Sequence, residues 1–128
     1  MIVGIGVDIV KTSRIAEMLE KHGDHFTGRI FTEGELAYAE ARKRRVEHLA
    51  ARFAAKEAVA KALGRGMSDG IVWCDIEVVN TATGKPEIRL SGQVASMARE
   101  MGIAALHLSL SHADEYAVAT VIAEGPGS

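Results

Sequence analysis

The stretch RFAAKEAVAKAL, residues 52–63, decides how this chain folds. It is alanine-rich and otherwise apolar, yet it carries four charges: Arg52, Lys56, Glu57 and Lys61. At about 100° per residue, Phe53, Glu57 and Lys61 stand in one ascending row, and Arg52 and Lys56 form the next. The remaining positions are Ala, Val and Leu. Such a helix has no broad polar face and is expected to be buried on most sides. Two readings of the charges are open. Glu57 and Lys61 can form an ordinary i,i+4 ion pair, contributing roughly 0.2–0.5 kcal/mol in water. Alternatively, three basic groups beside one carboxylate answer a bound polyanion, because burying that cationic excess without a partner is costly. Phosphate chemistry also calls for a divalent cation, and Mg²⁺ is typically held by one or two carboxylates with waters and phosphate oxygens. Glu57 supplies one carboxylate, and Asp8 is the candidate for the other.

Asp8 lies in the opening run MIVGIGVDIV. Val3, Ile5, Val7 and Ile9 alternate with Gly4, Gly6, Asp8 and Val10, the two-residue period of a strand. The two glycines clear one face, so another group can approach the backbone closely there. Asp8 can also simply end the strand. Thr12 or Ser13 then caps a helix expected to end near Gly23. Thr32 and Glu35 have capping-box spacing, predicting a second helix to about Lys43. The charged helix, about 46–63, stops at Gly64, and GRGMSDG is a loop by composition. Residues 71–79 read as a strand, and TATGKP as a turn into a short strand, EIRL. Ser91 opens a last helix closed by Gly102. Two final strands, around Leu106–Leu110 and in YAVATVIA, read as an antiparallel hairpin.

The expected fold is therefore α+β: one small domain over residues 1–124, an antiparallel sheet packed with helices, and a flexible tail at 125–128. The 128 residues, 48% hydrophobic and 5% aromatic, allow one domain whose core must be filled by aliphatic side chains. A net charge of −2 argues against nucleic-acid binding. No run of 18 apolar residues suggests a membrane span, and the N-terminus lacks a signal-peptide pattern. The single cysteine, Cys74, offers neither a disulfide nor zinc-site spacing. A cytoplasmic location is expected.

GIGVDIVKTSRI at 4–15, RFAAKEAVAKALGRG at 52–66, TGKP at 83–86 and LSLSHADEYAVA at 108–119 occur in this order in one short chain. Together they closely resemble the holo-acyl-carrier-protein synthase family, the short bacterial class of 4′-phosphopantetheinyl transferases. The resemblance implies transfer of the phosphopantetheine arm of coenzyme A to a serine of apo-acyl carrier protein, releasing adenosine 3′,5′-bisphosphate. It implies that Asp8 and Glu57 bind Mg²⁺ and that Lys61, the third catalytic residue, neutralises the pyrophosphate. Coenzyme A contacts are expected from Arg52, Lys56, Lys61, Gly84, Lys85, Pro86, Ser111 and His112. RKRR at 42–45 is either a solvated helix end or a phosphate contact across a subunit boundary. The carrier protein is expected to dock on Arg14, Met18 and Lys21, with Arg29 nearby, and the class is expected to be a homotrimer with sites between subunits. The competing reading is a coenzyme A- or nucleotide-binding regulatory module without transfer activity. Asp8, Glu57 and Lys61 standing together speak against it.

Overall fold

A computed structural model describes residues 1–127. The elements run β1 (Ile2–Lys11), α1 (Thr12–Ile30), α2 (Glu33–Glu40), α3 (Arg45–Ala62), a 3-10 turn (Trp73–Asp75), β2 (Ile76–Asn80), β3 (Pro86–Leu90), α4 (Gly92–Glu100), β4 (Ala105–Ala113) and β5 (Tyr116–Glu124). All strand pairs are antiparallel. One sheet has the order β1-β5-β4, and β2 and β3 form a second, two-stranded one. The α+β expectation holds.

Helix α3 is the axis of the molecule. It packs on β1, β5, β4, β2, α1 and α2, and twelve of its eighteen residues are buried. Its alanines explain how. Ala50, Ala54, Ala55 and Ala58 are fully buried, and they face a strand built the same way, with Ala117, Ala119 and Ala123 also fully buried. Small side chains on both partners let helix and sheet backbones approach closely. On β1, glycines do the same work. A Cβ on Gly4 would fall 2.0 Å from the Ala62 carbonyl oxygen, and one on Gly6 would fall 1.9 Å from that of Ala58. The cleared face of the first strand is thus occupied by α3 itself. The outward face of β1 carries the aliphatic residues: Ile5, Val7 and Ile9 are 62%, 55% and 60% exposed.

Helix ends follow their local chemistry only in part: α1 takes Lys11 as its N-cap rather than Thr12 or Ser13, and Thr12 Oγ1 donates to the Glu115 carbonyl instead. Thr32 and Glu35 form the expected capping box, with the Glu35 amide donating to Thr32 Oγ1 and the Thr32 amide to Glu35 Oε1. Helix α2 stops at Glu40 rather than Lys43. At the end of α3, Gly64 adopts φ 74°, and the Arg65 and Gly64 amides donate to the carbonyls of Ala60 and Lys61. This is the Schellman arrangement. Gly23 marks a break in α1, as expected, but only as a kink (φ 48°, ψ −126°), and helix resumes to Ile30. The second half is held by Phe26, whose ring lies 5.9 Å from Phe31 and 6.5 Å from Phe53. The first part of the expected strand at 71–79 is the 3-10 turn. Ser91 makes no side-chain cap to α4. Asp75 from the 3-10 turn accepts from the Gln93 amide instead. Gly125, placed in the expected tail, is buried and donates its amide to the Met1 carbonyl; residue 128 lies outside the described residues.

Candidate active site

The glycine-lined contact of β1 with α3 sets the position of Asp8, which points to the same face as Gly4 and Gly6 two residues further on. Lys61 meets it there. Its Nζ donates to Asp8 Oδ1 at 3.0 Å and to the Val7 carbonyl at 2.9 Å. The Asp8 side chain is 12% exposed and that of Lys61 53%. Glu57, one helical turn before Lys61, is half-buried. Burial pushes its carboxyl above the usual range, and the neighbouring Asp8 charge adds to the rise, against the opposing pull of Arg14 and Lys61. The i,i+4 pair of the helix reading is therefore incomplete. Lys61 bonds across to the strand, and Glu57 stands beside a second carboxylate.

Two adjacent carboxylates flanked by Arg14 and Lys61 form a hard oxygen donor set with a repulsion that a divalent cation relieves. Oxygen donors suit Mg²⁺ or Ca²⁺ rather than zinc. Among the described residues no group of three or more His, Cys, Asp or Glu side chains is placed to hold a metal. Two protein ligands fit an ion that keeps waters or binds substrate phosphate. On this ground Asp8 and Glu57 fit Mg²⁺.

Beside this centre a cavity of about 410 Å³ opens under α1, lined among others by Arg14, Met18, His25, Arg29, Phe53 and Trp73. Phe53 stacks on Trp73 at 4.9 Å, and the Arg14 guanidinium lies 5.4 Å from the Phe53 ring centre. Met18 is half-buried in this lining, while Arg14 and Lys21 are exposed.

A second cationic cluster lies at the other end of α3. Burial lowers the His48 pKa, and the charges of Arg52, Arg42 and His112 lower it further. His112 and Ser111 are exposed on β4. His48 is the residue the sequence reading missed, although its place one turn before Arg52 was visible. Arg52 is 2% exposed. It donates from Nη1 to the His48 carbonyl at 3.2 Å and from Nη2 to Asn80 Oδ1 at 2.7 Å, and its guanidinium lies 4.3 Å from the Tyr38 ring centre. Its Nε has no partner among the described residues. Within RKRR, Arg44 pairs with Glu47, Arg45 with Glu40, and Arg42 stacks on Tyr38 at 3.4 Å. Gly84, at φ 86°, shapes the exposed turn that also carries Lys85, with Pro86 opening β3.

Lys56 requires a correction. It was expected at coenzyme A, but it is fully buried. Its ammonium pairs with Glu35 Oε1 at 2.7 Å and donates to the carbonyls of Trp73 and Ile76. All three protons are engaged inside the fold, leaving none for a ligand. The sequence showed Glu35 as a cap. Its second task, neutralising Lys56 while Oε2 accepts from the Val78 amide, joins residues 43 apart in the chain and left no local signal.

The fold has counterparts among known proteins. The family model described as 4′-phosphopantetheinyl transferase superfamily matches residues 4–121. A holo-(acyl-carrier-protein) synthase of Koribacter versatilis is 47% identical over 124 residues, covering 97% of this chain and 99% of its own length. The crystal structure of the synthase of that name from Neisseria meningitidis superposes with a TM-score of 0.89 at 40% identity, covering 97% of this chain and 99% of its own. That of Bacillus anthracis, solved in complex with CoA (3′,5′-ADP), superposes with a TM-score of 0.81 at 43% identity, covering 98% and 99%. This chain belongs to the 4′-phosphopantetheinyl transferase superfamily.

Proposed function

We propose that this chain is a holo-acyl-carrier-protein synthase. It transfers the 4′-phosphopantetheine arm of coenzyme A to a serine of apo-acyl carrier protein and releases adenosine 3′,5′-bisphosphate. The observation that carries the reading is the meeting of Asp8, Glu57 and Lys61 at the contact of β1 with α3, in a chain so close to synthases over its full length.

The serine oxygen attacks the β-phosphorus of coenzyme A. A bond from serine oxygen to phosphorus forms, and the bond from that phosphorus to the bridging oxygen breaks. The bridging oxygen leaves with the nucleotide. Either Glu57, directly or through a water, or Asp8 takes the serine proton. Asp8 and Glu57 would hold Mg²⁺, which would supply neutralisation of the phosphoryl charge. Lys61 adds a fixed positive charge beside the leaving oxygen. Positioning and electrostatics carry phosphoryl transfer of this kind, with little covalent work from the protein.

Coenzyme A binding falls to Lys61, to the turn Gly84–Lys85–Pro86, and to Ser111 and His112, with Arg52 adding positive charge from beneath the surface. Arg42 adds positive potential beside His48, whose own charge burial disfavours. The carrier protein, acidic in this class, docks on Arg14, Met18 and Lys21, where basic groups surround the cavity under α1. The chain assembles as a homotrimer with sites between subunits. The exposed Ile5, Val7 and Ile9 on β1 support this, because such an apolar face is costly to leave in water. The reaction belongs in the cytoplasm, and no helix among the described residues is long and apolar enough to cross a membrane.

The test is the intact mass of purified apo-acyl carrier protein after incubation with this chain, coenzyme A and Mg²⁺. A gain of one phosphopantetheine arm, abolished by EDTA, is expected. Coenzyme A bound without any gain across several carrier proteins would leave a binding module instead.

A further inference from the structure

The turn assigned above to coenzyme A is exposed, and its own internal bonds are few. The Gly84 amide donates to the Thr81 carbonyl at 2.8 Å, and the Thr81 amide to the Lys85 carbonyl at 2.9 Å. A third bond ties the turn to the body of the protein. Asn80, the last residue of β2, donates from Nδ2 to the Gly84 carbonyl at 3.0 Å. The opposite end of the same amide accepts from Arg52 Nη2 at 2.7 Å. Arg52 is buried, anchored to the His48 carbonyl and set against Tyr38.

We propose that Asn80 is a positioning residue for coenzyme A: it links the buried Arg52 guanidinium of α3 to the Gly84 carbonyl, holding the Gly84–Lys85–Pro86 turn in its binding shape. The inference rests on the functional reading above. The Asn80 amide is suited to the role, since one side chain must accept at Oδ1 and donate at Nδ2 at once. The Arg52 fork fixes which end is the acceptor, and this in turn aims the donor at the turn. Gly84 sits at positive φ, a conformation a free turn holds weakly, so an external bond to its carbonyl selects it. Asn80 need not touch the ligand. It acts by presenting the turn ready-formed, which removes ordering cost from binding.

Asn80→Asp keeps the acceptor for Arg52 and replaces the donor with an oxygen facing the Gly84 carbonyl. Asn80→Ala removes both halves and serves as the second variant should the aspartate disturb folding. Two readouts are compared with the wild-type protein. The first is amide hydrogen exchange of Thr81 and Gly84 without ligand. The second is the steady-state split between KM for coenzyme A, KM for the carrier protein and kcat. Faster exchange confined to the turn is expected, with KM for coenzyme A raised about three- to tenfold, the scale of one hydrogen bond. KM for the carrier protein and kcat should stay within about twofold, a selectivity that general loss of stability would not give. Unchanged exchange, or an unchanged KM for coenzyme A in both variants, overturns the proposal. Failure of the wild-type protein to bind coenzyme A in the same titration overturns the functional reading instead, and the relay's role in binding with it.

Discussion

Gly6 of β1 lies so close to Ala58 of α3 that a Cβ on the glycine would fall 1.9 Å from the alanine's carbonyl oxygen. Nothing flexible stands in the way; the obstacle is helix backbone. The contact does two things at once. It joins sheet to helix, and it sets the height at which Asp8 meets Lys61. Gly6→Ala is therefore expected to destabilise the protein by about 3 kcal/mol, the upper range for overpacking a close contact. Thermal unfolding measures this. A melt unchanged from the wild type would mean that the strand can lift off the helix without loss.

Glu57→Gln keeps the volume of the side chain and removes a carboxylate. Transfer is expected to fall by a hundredfold or more, roughly the loss seen when one preorganised charge partner leaves a transition state. The melting temperature should not fall, because the replaced carboxyl is one that burial and Asp8 already disfavour as an anion. Rates near those of the wild type would remove Glu57 from the metal site. Lys61→Ala should likewise lower turnover more than stability, since its side chain is half exposed and its ion pair with Asp8 is only partly shielded from water.

The raised pKa of Glu57 carries a sign that can be checked. Its carboxyl binds a proton more readily in the folded state than in the unfolded chain, where the ordinary value of 4.5 applies. Between that value and the raised one the folded state holds more protons, so this group makes stability fall as pH rises. A cation bound by Asp8 and Glu57 opposes this effect only once Glu57 is ionised. Mg²⁺ is thus expected to raise the melting temperature by about 3 °C at pH 7 and hardly at all at pH 4. The gain should vanish in Glu57→Gln. Equal shifts at both pH values would assign the ion to another place.

Lys56 tests the opposite assignment, a charge that belongs to the core. Lys56→Met leaves Glu35 buried without its cation, and removing one partner of a buried pair costs about 3–5 kcal/mol. The folded fraction should nonetheless keep the wild-type KM for coenzyme A. A raised KM with unaltered stability would return Lys56 to the ligand.

The difference between Lys56 and Lys61 shows what the sequence could and could not convey. Both stand on one helix amid alanines, one residue before and four residues after Glu57, and both were expected at coenzyme A. What separates them is the surroundings, namely Glu35 arriving from α2 for one and Asp8 from β1 for the other. Local causes were legible in the strand of β1, the box at Thr32 and Glu35 and the stop at Gly64, but α1 takes Lys11 as its N-cap instead of Thr12 or Ser13. The kink at Gly23 was legible as a break, but the helix beyond it was not. Residues 24–30 are kept helical by packing of Phe26 against Phe31 and Phe53, contacts that no local pattern announces. Likewise the relay through Asn80 and the cap of α4 by Asp75 are made between segments distant in the chain.

The alternation on β1 was legible, but its direction inverts the usual rule. The glycine face turns inward and the aliphatic face outward, because only glycine lets the strand rest on the backbone of α3. The outward row of Ile5, Val7 and Ile9 then needs a partner surface. If that partner is another copy of the chain, Ile5→Lys together with Ile9→Lys should give a folded monomer, because neither side chain contributes to the buried core of one subunit. Light scattering on the eluting protein reads the mass, and circular dichroism reads the fold. The wild-type protein is expected at three times the chain mass and the double variant at one. Transfer should fall with the mass, since a site between subunits is lost when they separate. A wild-type monomer with full activity would place the whole site in one chain and leave the apolar face of β1 to some other partner.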